Sequence, residues 1–213
     1  METFWIRSKR RPILMKYINR ILVQWQLGLR EFQLKTYELG YDTTEKANFG
    51  FFLWGCARLK MPFILEFTMG RKFRGKNIGR GRPDGRILIS ENAEAVFEAK
   101  RIYDRIDTPP RRQIIERVGL LEKELKSLKW WHKKVNRIGL CFVILERTKK
   151  KGLKELDKSL SMYINLLKTY SCVDFLSVYQ SPKEIVTKPY NIYKDKRNRE
   201  FIYPAVVLIG KYV

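Results

Sequence analysis

A single histidine and three cysteines in 213 residues remove whole classes of chemistry at the outset. Any mechanism that needs two histidines is excluded, and His132, behind Trp130-Trp131 in a basic stretch, reads as structural. Cys56, Cys141 and Cys172 stand apart in apolar surroundings. They have neither the spacing of a disulfide framework nor that of a zinc site, so they read as buried thiols of a reducing compartment. Three scattered thiols also cannot supply the four ligands of an iron–sulfur cluster. Long hydrophobic runs are missing too. Ile138–Leu145 and Pro204–Gly210 fall far short of the ~20 residues needed to cross a bilayer, so no membrane partner is expected. The first twenty residues show no apolar stretch followed by a small-residue cleavage site, so no signal peptide is expected and the location is read as cytoplasmic.

Acid is also scarce. Asp and Glu total 22 against 44 Lys and Arg, a formal charge of +22. Apolar residues make up 45% of the chain, which is enough to build one core and argues against disorder. Self-repulsion of this size opposes compactness, and its usual purpose is to meet a polyanion. DNA is the expected partner.

Hydrophobic periodicity divides the chain. Tyr17, Ile18, Ile21, Leu22, Trp25 and Leu29 recur at helical spacing within residues 12–39. Thr43 or Thr44 is placed to cap a second helix of about 45–60, carrying Phe49, Phe52, Leu53 and Cys56. Phe63–Thr68 reads as a strand. Residues 71–82, RKFRGKNIGRGR, hold six basic residues, three glycines and no acid, and read as a flexible, positive loop. Pro83–Ser90 and Ala95–Arg101 read as a hairpin turning at Glu91-Asn92. A helix after Pro109-Pro110 buries Ile114, Val118, Leu121 and Leu125, and Ile138–Leu145 reads as a strand buried on both faces. Residues 152–169 return to helical spacing, Val173–Tyr179 is a strand, and the tail ends in the apolar run Ala205–Ile209. This order predicts an α/β fold, a mixed β-sheet flanked by helices. Three parts are expected: an N-terminal helical extension (1–42), a core (43–182), and a basic tail with a C-terminal strand packing on that core (183–213).

The chemistry concentrates in Pro83-Asp84 and Glu98-Ala99-Lys100. Alternate side chains of a strand share a face, so Glu98 and Lys100 point together while Phe97 and Ala99 enter the packing. Asp84 joins them if the turn has an odd length. An even turn sends it to the opposite face unless a bulge intervenes. Two carboxylates suit a hard divalent cation, and a lysine beside them stabilises charge on a scissile phosphate.

These residues resemble the PD-(D/E)XK nuclease superfamily, over roughly residues 43–180 in motif and element order. The resemblance implies a restriction-endonuclease-like core of α-β-β-β-α-β order and a Mg2+-dependent deoxyribonuclease, with Mn2+ able to substitute. It implies catalytic Glu45, Asp84, Glu98 and Lys100, with Asp84, Glu98 and Glu45 holding the metal. Glu45, which opens the second helix, fits the superfamily's additional helical glutamate best; Glu66 is the rival, and Glu31 and Glu38 are more distant. A second Glu-x-Lys, Glu124-Leu125-Lys126, lies in a helical pattern and reads as a solvated face. The pattern is most similar to archaeal Holliday-junction resolvases and related archaeal-virus nucleases, which places a virus-encoded chain in the host cytoplasm. Gln113 matches a feature of RecB-type exonucleases, but Arg117 stands where their tyrosine belongs.

Arg71, Lys72, Arg74, Lys76, Arg80 and Arg82 lead directly into this constellation and are the candidate nucleic-acid-binding residues, with glycines that let backbone approach phosphate. No recognition helix is visible, so recognition of backbone path and shape is expected rather than base reading. The expectation is an endonuclease on branched DNA such as Holliday junctions, acting as a homodimer whose two-fold axis matches a junction. The alternatives are a non-catalytic basic nucleic-acid-binding protein and a restriction- or repair-type endonuclease on linear duplex.

Overall fold

The computed structural model describes residues 4–7, 12–42, 44–65, 69–73, 76–81, 83–90, 93–128 and 135–213, with the side chains of 12, 13, 69–73, 76–81 and 90 outside that description. Trp130, Trp131, His132, Glu66, Arg74 and Arg82 lie outside the described residues.

In chain order the elements are β1 (Phe4–Ile6), α1 (Pro12–Thr36), α2 (Glu45–Arg58), β2 (Phe63–Leu65), β3 (Met69–Phe73), β4 (Lys76–Gly81), β5 (Gly85–Ser90) and β6 (Ala93–Arg105). There follow α3 (Arg112–Ser127), β7 (Val135–Thr148), α4 (Leu156–Thr169), β8 (Phe175–Gln180), α5 (Lys183–Val186), β9 (Tyr193–Lys194) and β10 (Glu200–Tyr212). Eight strands form one sheet in the order β1-β8-β10-β7-β6-β5-β2, with β9 beside β10. Among the described residues only the β6–β7 pair is parallel, and the crossover between them carries α3. The fold is α/β with a mixed, mostly antiparallel sheet flanked by helices.

Strand alternation builds two cores. Phe97, Ala99, Leu140, Phe142 and Leu208 face α1 and α2, burying Trp25, Leu29, Phe49 and Phe52. The alternate residues Ile102, Cys141, Val143, Val207 and Ile209 face α3 and α4, burying Ile114, Val118, Leu121, Leu160 and Leu167. Both faces of β7 are therefore covered, and its apolar run is continuous for that reason. Cys56 and Cys141 are buried, and burial pushes each thiol up to about 12; Cys172 is half-buried.

Three segments are arranged differently from the expectation. Residues 69–73 and 76–81 are paired antiparallel strands of a separate two-stranded sheet, not a loop. Backbone pairing needs no side-chain alternation, so a Gly- and Arg-rich segment can form a hairpin that its composition hides. The C-terminal strand does not pack on a finished core. β10 lies between β7 and β8 and is buried from Phe201 to Gly210. Nor is α1 peripheral: Trp25 is fully buried against Phe142, and Gln26 donates to Ser177 Oγ of β8 at 2.8 Å.

Candidate active site

The geometry begins where β5 meets β6; Glu91 and Asn92, the expected turn, lie outside the described residues. Ser90 pairs with Ala93, so the loop has even length, and without correction Asp84 would fall on the wrong face. A bulge between Leu88 and Ser90 shifts the register, and from Leu88↔Glu94 to Gly85↔Phe97 the paired numbers have an even sum. Continued by one residue, this register sets Asp84 opposite Glu98. β5 begins at Gly85, and beyond it the neighbouring edge of β6 has no strand partner among the described residues. Side chains take that role instead: Asp84 Oδ2 accepts from Ala99 N at 2.6 Å, and Glu45 Oε2 accepts from Arg101 N at 2.9 Å.

Glu45 arrives from the other side of the sheet. Thr44 caps α2 by accepting from Ala47 N at 2.9 Å, so the helix starts at Glu45. The preceding turn is tied to β6, because Arg101 Nη1 and Tyr103 Oη both donate to the Asp42 carbonyl, at 3.1 and 2.7 Å. Gly85 completes the approach. A Cβ there would lie 2.8 Å from the buried Phe49 ring, so only glycine lets α2 pack this closely over the start of β5.

Glu98 and Lys100 face the α3 side of the sheet. Lys100 Nζ lies 3.7 Å from Glu98 Oε1 and 3.3 Å from Glu124 Oε2. Among the described residues Glu98 Oε2 is buried with no protein donor, while the Glu124 carboxyl adjoins Glu98 and favours its protonated form. Burial, then the charge of Asp84, pushes the Glu98 carboxyl up to about 8, against the opposing pull of Lys100. Burial alone would lower Lys100, but Glu124, Glu98, Glu45 and Asp84 together outweigh it and raise its pKa. Glu45, Asp84, Glu98 and Lys100 thus form one electrostatic unit.

Sequence reasoning missed Glu124. It is no solvated bystander: it reaches from α3 to Lys100 and adds to the forces raising Glu98. Its position three residues after Leu121 and one before Leu125, on the border of the buried stripe, was the available signal. The distant alternatives lie elsewhere. Glu31 pairs with Arg58 at 2.8 Å, and Glu38 follows the end of α1. Of the candidate nucleic-acid contacts, Arg71 and Lys72 fall on β3, and Lys76 and Arg80 on β4.

Among the described residues, no three His, Cys, Asp or Glu side chains converge as a ready metal cage. A magnesium ion asks for less, commonly one or two carboxylates with water and substrate phosphate completing its shell. Asp84 and Glu98 fit that demand, and the orphaned, buried Glu98 Oε2 is the observation that favours a cation there. No family model, curated protein or solved structure matches this chain.

Proposed function

We propose that the chain is a magnesium-dependent DNA endonuclease of the PD-(D/E)XK type, acting on branched DNA. The observation that supports the reading is the bulge-corrected register, which, continued one residue beyond Gly85, would bring Asp84 opposite Glu98, whose Oε1 lies 3.7 Å from Lys100 Nζ. Asp84 and Glu98 would hold the ion, with Glu45 beside them on the same strand edge. Bound there, magnesium would supply a more acidic water and offset charge on the phosphoryl oxygens. Lys100 places a positive charge next to the scissile group, and Glu124 holds that ammonium in place. The hydrogen bonds from Ala99 and Arg101 fix two of the carboxylates before substrate arrives, so little reorganisation is needed. The excess of 22 positive charges supports DNA as the polyanion, bound through its backbone. Two copies about a two-fold axis would present two such sites to a four-way junction.

The test is cleavage of a four-way junction and of a matched linear duplex, with magnesium or with chelator. Metal-dependent cutting of the junction, lost in Glu98→Gln, supports the reading. Equal cutting of both substrates moves the function to linear duplex. Binding without cutting of any DNA structure, in magnesium and in manganese, leaves a non-catalytic binding protein.

A further inference from the structure

A second cluster of charge sits beyond the C-terminal ends of the parallel pair β6 and β7. At about 3.3 Å per residue it lies roughly 20 Å along the strand from Lys100. A cleft of about 580 Å³ opens between residues 106–109, the turn after β7 and the outer face of α4. The turn is made by Lys149–Lys151 and Gly152, whose φ of +54° reverses the chain and suits glycine.

Arg147 forms the inner wall. It is only 6% exposed, and its Nη2 lies 3.2 Å from Asp107 Oδ1. Its Nε and Nη1 are buried with no hydrogen-bond partner among the described residues. Asp107 is shared, since Lys151 Nζ approaches Oδ2 at 3.3 Å and Ser159 Oγ donates to Oδ1 at 3.3 Å. A buried guanidinium with donors to spare is costly unless an acceptor completes it. Its planar fork matches the oxygens of a phosphate. Lys150 and Lys154 line the same cleft, are exposed, and make no ion pair among the described residues. The lining therefore carries four cations (Arg147, Lys150, Lys151, Lys154) against two anions (Asp107, Glu155), a surplus of two. The cleft is larger than a phosphate alone requires. Met162 and Leu166, both exposed, provide an apolar wall against which a sugar or base can rest.

We propose that this cleft binds the phosphate of a nucleotide, free or within a nucleic-acid strand, through Arg147, Lys150 and Lys154. The inference does not depend on the nuclease reading, because it shares no residue with that site.

Calorimetric titration of the full chain with inorganic phosphate, adenosine monophosphate and a DNA duplex tests it. Arg147→Gln, and separately the pair Lys150→Ala/Lys154→Ala, should weaken at least one probe by about tenfold or more, the size expected for a charged hydrogen bond. The exposed pair needs no core rearrangement, so it decides the matter if Arg147→Gln fails to fold. Lys35→Ala/Lys183→Ala, equal in charge and on α1 and α5, which pack against the other core, is the control. Weakened phosphate or mononucleotide binding identifies a free ligand; weakening confined to duplex, beyond that of the control, identifies a strand phosphate. No saturable binding of any probe, or losses equal to those of the control, overturns the proposal.

Discussion

Glu98 and Asp104 stand six residues apart on the same face of β6, and both are buried, at 5% and 0% exposure. Their surroundings differ completely. Asp104 accepts from Arg105 N, Arg111 N and Tyr163 Oη at 2.9, 3.0 and 2.6 Å, and pairs with Arg111 Nε at 2.9 Å. It closes the joint between β6, α3 and α4 and has little left to offer a ligand. Glu98 faces two other carboxylates and one shared ammonium, with an oxygen left unpartnered. A buried charge satisfied by protein donors does structural work; one that is left short waits for a cation or a proton. Arg147 mirrors this with the opposite sign, short of an acceptor where Glu98 is short of a donor.

The contrast breaks most sharply in catalysis. If the proposed nuclease reading holds, Asp84→Asn, Glu98→Gln or a chelator should remove essentially all junction cleavage while DNA binding survives, because on that reading these groups act on the transition state and the basic surface supplies affinity. Cleavage that persists in these variants would place the activity elsewhere. Lys100→Ala should cost on the order of 10²–10³ in kcat, as for loss of one preorganised stabilising group.

Glu124→Gln should be milder, about tenfold in kcat, since it loosens Lys100 without removing it. The same change takes away one of the forces raising Glu98. Magnesium binding competes with the Glu98 proton, so it should tighten as pH rises toward about 8 in the parent. In Glu124→Gln that rise should move to lower pH, as measured by calorimetry. An unmoved profile would show that Glu124 only packs.

Replacing Arg71, Lys72 and Arg74 by Ala should weaken binding of all DNA sequences alike. The log–log salt slope should become shallower by up to about 3 units, roughly one per phosphate contact. A loss confined to one sequence would point to base reading instead.

The smallest effect is on stability. The folded Glu98 pKa of about 8 lies above its ordinary 4.5. The stability linked to its protonated form is therefore fully present below about 4.5 and is lost as pH rises through about 8. Glu98→Gln removes that loss. In chelator at pH 9 the inactive variant should melt above the parent by a few degrees, at roughly 2–4 °C per kcal/mol, and the gap should close near pH 4. A variant that melts below the parent at pH 9 would mean that the Glu98 charge is already compensated. No counterpart is expected at Asp104, where removing the carboxylate leaves the buried Tyr163 hydroxyl and the Arg111 backbone N–H without their acceptor and should destabilise at neutral pH.

Much of this was legible in the sequence because it is local. Helical spacing marked α1 through Ile18, Ile21 and Trp25, and α3 through Ile114, Val118 and Leu121. The Thr43-Thr44 pair announced a cap for α2, which Thr44 takes, and the unbroken run Ile138–Leu145 announced a strand covered on both faces. Residue types at strand spacing also singled out Asp84, Glu98 and Lys100. What pairs with what was not legible. The place of β10 between β7 and β8 and the brief pairing of β1 with β8 depend on partners distant in sequence, and the pairing of β3 with β4, though local, carries no hydrophobic alternation to announce it. The face on which Asp84 falls turned on one bulge near Ser90, and the roles of Glu124 and Arg147 on which neighbours were left to satisfy them. Periodicity is carried by the chain itself, whereas register and the satisfaction of buried charge are set only when separate elements meet.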